Sequence, residues 1–350
     1  PQKIDWWGAV TIVLAVVPLL LVAEQGREWG WGSPLSIAMY ATGLFGIVSF
    51  ILIEKRMGSA ALIPLAIFKE PTFARTQIMG FIIGIGMFGG MIVLPLIIQV
   101  VYGASPTEAG FLMLPMVAGM MTATITSGRI MSSTGKYRIF FNTGTAVMFF
   151  GYLYMLLMLD ASTPIWVISI GMIMIGLGLG QLMQTTMVAS QNSVDAKDIG
   201  VATSSATFFR QMGGTFGVAV FMSILFGQVA DKIGGAFQRA DVREGIAAAT
   251  QDPAVLANPD NEAILGVLQG GPSAAEQITL DSSFMIGADD RLTLPFRIGF
   301  VESSLTVFLV AIFFVAAAFV ISWFIKEIPL RDKSASQEAA ESAKTAGMSH

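Results

Sequence analysis

The amino-acid sequence predicts an all-α integral membrane protein with eight transmembrane helices. Three observations carry that reading. First, 54% of the 350 residues are hydrophobic and only 13% are charged, whereas a soluble domain needs about 25% charge to coat its surface. Second, the charges are segregated. The stretches Trp6–Ala23, Trp29–Ile53, Ile78–Gly128, Ile139–Val194, Ile199–Ala230 and Ser303–Ile325 hold only Glu108, Asp160 and Arg210 of the chain's 24 acidic and 20 basic residues. Third, turn and charge signals divide these stretches into units of roughly 20 residues, the length that crosses a hydrocarbon layer of about 30 Å.

The predicted spans lie near Trp7–Ala23, Ser36–Ile53, Ile78–Val101, Gly110–Ile130, Ile139–Leu159, Ile165–Met187, Val201–Phe226 and Ser303–Ile325. Basic residues orient them, because Lys and Arg accumulate on the cytoplasmic side. Lys3, Lys55, Arg56, Lys69, Arg75, Arg129, Lys136, Arg138, Lys197, Lys326, Arg331, Lys333 and Lys344 occupy one set of connections. The opposite set holds six, five of them in the long segment Gly227–Glu302, where the rule is weak. A multi-pass protein of the plasma (cell inner) membrane with both termini in the cytoplasm is expected.

This gives a division of the chain. Residues 1–77 form two spans and a cytoplasmic connector, 78–227 five spans, 228–302 an acidic external loop or cap, 303–325 the last span and 326–350 a cytoplasmic tail. Amphipathic patches at Val242–Ala249 and Ala263–Leu268 predict short helices in the external segment, with a disordered loop as the alternative. The tail from Asp332 is rich in Ser, Ala, Glu and Lys, a composition that stays disordered or loosely helical. With Pro1 in place of Met and no signal peptide following it, the chain is read as a piece of a longer protein.

Composition excludes several classes. There is no cysteine, and the one histidine is His350, so a thiolate nucleophile, a Ser-His-Asp triad and a Cys/His zinc site are ruled out. No catalytic residue, metal or cofactor is expected. A net charge of −4 argues against a nucleic-acid partner, which would be met by a basic face.

Between the fourth and fifth spans runs Gly128-Arg129-Ile130-Met131-Ser132-Ser133-Thr134-Gly135-Lys136-Tyr137-Arg138. Gly128 would let helix backbones approach and Gly135 permits a tight turn. The segment resembles the G-x-x-x-D-R-x-G-R-K motif of the major facilitator superfamily, in the weaker form of the C-terminal half, with Ser132 and Ser133 replacing the Asp and its basic neighbour. Counting from it makes spans three to eight a six-helix bundle and the first two spans extra linker helices. That count resembles the fourteen-helix drug/proton antiporters (EmrB/QacA-type). So do Ile4-Asp5-Trp6-Trp7-Gly8, the corner from Leu94 through Gln99 and Tyr102 to Gly110, and Phe209-Arg210-Gln211-Met212-Gly213-Gly214-Thr215-Phe216-Gly217.

The resemblance implies proton-driven export of amphipathic, often cationic compounds by alternating access between two halves. The proton gradient supplies the energy. The partners are a small amphipathic substrate, the lipid bilayer and an N-terminal half absent from this chain, in which the proton-coupling acid is expected. Two alternatives stand beside it, an exporter of a lipid or cell-envelope molecule and a membrane scaffold or sensor that uses the external loop.

Candidate site residues follow from polarity inside the spans. Arg210 is expected near mid-membrane, where a charge marks a pathway or a paired carboxylate, unless it snorkels to the headgroups. Gln181, Gln184 and Gln191 share a helix face with Val188 and point to a cavity or to interhelical hydrogen bonds. Gln211 and Gln99 complete the substrate-cavity candidates. Gly128, Gly135, Lys136, Arg138, Gly213 and Gly217 are the structural motif residues. Gly80/Gly84, Gly86/Gly90, Gly176/Gly180 and Gly213/Gly217 read as small-xxx-small helix contacts. The Met-rich stretch Met113–Met121 reads as lipid-facing or packing, or as a flexible apolar pocket wall.

Overall fold

A computed structural model describes residues 5–57, 63, 65–270 and 285–329. The described residues form helices α1 (Trp6–Trp29), α2 (Pro34–Met57), α3 (Pro71–Tyr102), α4 (Pro106–Leu112), α5 (Leu114–Thr134), α6 (Arg138–Met158), α7 (Ile165–Asn192), α8 (Ile199–Phe237), α9 (Ala240–Gln251), α10 (Pro253–Ala257), α11 (Glu262–Gly270) and α12 (Asp290–Ser322). Eight units are long and apolar enough to cross a membrane: α1, α2, α3, α4 with α5, α6, α7, α8 and α12. The expected all-α, eight-span architecture is therefore present.

Two of the three charges in the apolar stretches sit at helix ends. Glu108 closes a capping box at the start of α4, where Ser105 Oγ accepts its N–H and Glu108 Oε2 accepts the Ser105 N–H at 2.8 Å. Such a box satisfies backbone donors that the helix start leaves open. Asp160 is exposed in the turn between α6 and α7. Arg210 alone remains inside a span, eleven residues past the start of α8, or roughly 16 Å at 1.5 Å per residue.

The boundaries of the external segment change. The last helix begins at Asp290 rather than at residue 303, and α8 runs on to Phe237 rather than ending at Phe226. Hydropathy registers only the apolar part of a helix. These two continue as paired, charged extensions, with Lys232 3.5 Å from Glu302 and Arg297 3.1 Å from Asp290. The amphipathic patches form α9 and α11, and Val242, Ala249, Val255 and Ile264 are buried beneath the cap. Residues 271–284, and the tail from 330 onward, lie outside the described residues, as does the Lys3–Ile4 start.

The bundle is built from two triplets, α3–α5–α6 and α7–α8–α12, whose first members are exchanged. α3 packs on α8 and α12, and α7 packs on α5 and α6. α3 touches α7, and α6 touches α12. This crossing relates the triplets as inverted repeats. α1 and α2 form a hairpin whose α1 lies against α8.

Glycines make the two closest crossings possible. A Cβ added at Gly84 would lie 2.2 Å from the Arg210 carbonyl oxygen, and one at Gly213 1.9 Å from that of Phe81, so α3 and α8 meet backbone to backbone. On α7, a Cβ at Gly176 would lie 2.1 Å from the Met116 oxygen and one at Gly180 2.2 Å from that of Met120. Gly86 and Gly90 differ, because they receive a side chain. Tyr152 of α6 donates its hydroxyl to the Gly86 carbonyl and accepts the Gly90 N–H at 3.0 Å.

Candidate functional site: a cleft between α5, α7 and α8

Between the α5–α7 crossing and α8 a gap remains where long side chains splay apart. A cleft of about 440 Å³ opens there, lined by Met120, Met121, Thr124 and Ile125 of α5, Met183, Gln184 and Met187 of α7, and Arg210 of α8. The lining follows from helical spacing, since positions i, i+1, i+4 and i+5 of α5 and i, i+1 and i+4 of α7 fall on one face. Four methionines give the wall an adaptable, polarizable surface.

Arg210 is the one charged side chain of the lining, and among the described residues it has neither a carboxylate partner nor a side-chain hydrogen bond. Its own carbonyl is fixed against Gly84, which sets the depth of the guanidinium. Gln184 shares the cleft and has no hydrogen-bond partner among the described residues, whereas the Thr124 hydroxyl donates to the Met120 carbonyl at 2.8 Å. The cleft therefore offers a fixed positive charge, an amide and a deformable apolar wall.

The other sequence candidates are not gathered here. Gln181 accepts a hydrogen bond from Thr143 of α6 at 2.7 Å, and Gln191 donates to Thr203 of α8 at 2.9 Å. Their common face on α7 is crossed obliquely by different neighbours along its length, so only Gln184 reaches the gap. Gln99 donates to the Pro95 carbonyl within α3, and Gln211 is exposed and does not line the cleft.

The motif residues take two roles. Gly128 does not mediate a close backbone approach. A Cβ there would make only ordinary contact, 3.5 Å from Gln184, and the tight contact of α5 falls instead at Gly119, 2.7 Å from the Ile173 oxygen. Gly135 adopts φ +71° and ends α5 with its N–H on the Met131 carbonyl, a left-handed cap that favours glycine. Lys136 is exposed.

Arg138 belongs to a clasp that sequence reading missed. Its Nη2 donates to the Trp323 carbonyl at 2.9 Å, Arg75 Nη1 to that of Phe324 at 2.7 Å, Tyr137 Oη to that of Lys326 at 2.9 Å and Asn192 Nδ2 to that of Ile328 at 2.9 Å. These carbonyls lie at and just past the end of α12, outside its hydrogen-bond ladder, and cations beside a helix C-terminus oppose its dipole favourably. Burial pushes the Tyr137 phenol above its usual range, so it remains a donor into alkaline conditions. The only available sequence signal was the crowding of Arg and Tyr at the predicted ends of α3 and α6.

Comparison with known proteins settles the family. Residues 6–218 match the sequence profile of the Major Facilitator Superfamily, and the chain is 33% identical over 344 residues to a tetracycline resistance determinant of Streptomyces rimosus, covering 98% of this chain and 96% of that one. The chain belongs to the major facilitator superfamily. A second relative, the multidrug transporter protein MdtP of Bacillus subtilis, is 32% identical over 98% of this chain, which spans 63% of it. A third, multidrug resistance protein 3 of the same organism, is 28% identical over 67% of this chain and is spanned to 46%. With its eight apolar helices, this member of the superfamily is a multi-pass membrane protein.

Proposed function

We propose that the chain is the C-terminal portion of a proton-coupled exporter of small amphipathic compounds, working by alternating access in the plasma membrane with both termini in the cytoplasm. The single observation that carries this is the α5–α7–α8 cleft, which combines a methionine wall with one charged and one amide group at membrane depth. Pockets for drug-sized molecules commonly span roughly 300–1,000 Å³ and pair apolar walls with a few polar groups. The resistance and multidrug names of the relatives support the same reading, as do the two linker helices ahead of the six-helix bundle, which favour the fourteen-helix antiporter type. A second six-helix half would close the cleft. No carboxylate lines it among the described residues, so the proton-binding acid is assigned to that half. Everted vesicles bearing the whole transporter should accumulate tetracycline when acidified inside, and collapse of the pH gradient should abolish uptake. Uptake that continues without the gradient would contradict proton coupling. Residues 1–350 alone should show none, and robust uptake by this chain would remove the need for another half.

A further inference from the structure

The cleft has a sign. We propose that it selects amphipathic compounds bearing an anionic oxygen, a carboxylate, phenolate or enolate, which pairs with Arg210. This rests on the cleft being the substrate surface, and it narrows the substrate class against the cations that family resemblance implies. Arg210 lies eleven residues into α8 with its backbone locked on Gly84, and its side chain is half-buried in the cleft wall. No acidic side chain lines the cleft or pairs with Arg210 among the described residues. A half-buried charge at this depth without a partner is costly, and a substrate that brings the opposite charge lowers that cost on binding. A cation entering the same space meets a like charge that nothing in the lining offsets among the described residues.

The chemistry of the lining agrees. A guanidinium presents a planar fork of N–H donors matched to carboxylate-like oxygens. Gln184 adds an uncommitted amide beside it. The methionines then hold the apolar body of the compound without fixing its shape.

Fluorescein and rhodamine 6G share a xanthene frame and, in mildly alkaline buffer, carry opposite charge. Anisotropy titrations of the purified whole transporter should show fluorescein bound at least about tenfold tighter, since like-charge juxtaposition is strongly disfavoured. Arg210→Gln should abolish the preference by weakening fluorescein and leaving or strengthening rhodamine 6G, and Arg210→Lys should keep its direction at reduced size. Should Arg210→Gln fail to fold, Gln184→Glu offers an independent route, because a carboxylate beside Arg210 should shift the preference toward rhodamine 6G. Tighter binding of rhodamine 6G to the native protein, or a preference unchanged in Arg210→Gln and Gln184→Glu, would overturn the inference while leaving the cleft as a binding surface. If instead Met183→Trp, which fills the cleft, disturbs neither probe, the cleft itself is lost as the substrate site and the inference goes with it.

Discussion

The α3–α8 and α5–α7 crossings are built alike and differ in what they deliver. In each, the first helix of one triplet brings a glycine against a backbone carbonyl of the other triplet's second helix: Gly84 against Arg210, and Gly180 against Met120. Both of these partner residues then send their side chains into the same cleft. One delivers a charge and the other a thioether. Inverted repetition thus supplies the scaffold twice, while the charge of the site comes from one side-chain difference between the two crossings.

The largest expected effect comes from breaking the scaffold. Gly213→Val and Gly180→Val each drive a side chain into a carbonyl about 2 Å away, and overpacking of this severity should cost at least about 3 kcal/mol. Thermal unfolding in detergent should show both variants destabilised to a similar degree. Gly110→Ala, where nothing lies within 4 Å of the added Cβ, should be close to neutral. A large effect at one crossing and none at the other would break the equivalence.

Arg210→Met makes the two delivered side chains alike. It should reduce export of an anionic compound at least about tenfold, as expected for loss of a charge-assisted contact, without lowering thermal stability, because no partner of the charge among the described residues is lost. A stability loss as large as that of the glycine variants would instead make Arg210 a packing residue. Tyr152→Phe is smaller. It removes the tie between α6 and α3 and leaves Gly86 and Gly90 to their own helix, at a cost of about 0.5–1.5 kcal/mol, measured by thermal unfolding.

The two ends of the molecule give the smallest contrast. The clasp at residues 323–329 uses Arg, Tyr and Asn on backbone carbonyls, with no carboxylate among those bonds. The cap at the other end rests on ion pairs, including Arg291 with Asp289 at 2.8 Å and with Asp252 at 3.2 Å. Hydrogen bonds from Arg291 hold the Asp289 carboxyl below its ordinary value. An acid depressed in the folded state lends its stability in full above its unfolded pKa of about 3.9 and loses it as pH falls through the folded value. Hydrogen exchange should therefore show α9–α11 loosening below about pH 4 while residues 325–328 stay protected. Equal loosening at both ends would remove the distinction.

Much of the fold was legible because lipid imposes one strong rule, that spanning segments lack charge. Segregated charges marked eight spans, and the amphipathic runs at Val242–Ala249 and Ala263–Leu268 marked cap helices. The rule fails where a helix leaves the membrane without stopping, which is why the start of α12 at Asp290 was missed. The site was legible only in part. Arg210 stood out because its charge is isolated, but the spacing of Gln181, Gln184 and Gln191 gives a shared face and not which neighbour crosses it. Met183 and Met187 went unnoticed, since a methionine in a span looks the same whether it meets lipid, a helix or a cavity. The clasp joins positions such as Arg75 and Phe324 that lie far apart in sequence, and no local pattern announces such a bond.

Because the chain contains no cysteine, single thiols can map the cleft directly. In a transporter with any cysteine outside these residues replaced by serine, Met183→Cys places one in the lining, and Val320→Cys places one on the exposed flank of α12. The rate of maleimide labelling at each, with and without a transported compound, is the measurement that bears most closely on the cleft as the substrate surface. Protection at position 183 and none at position 320 is the expected result. Identical labelling with and without the compound at position 183, in protein that still exports it, would contradict the account.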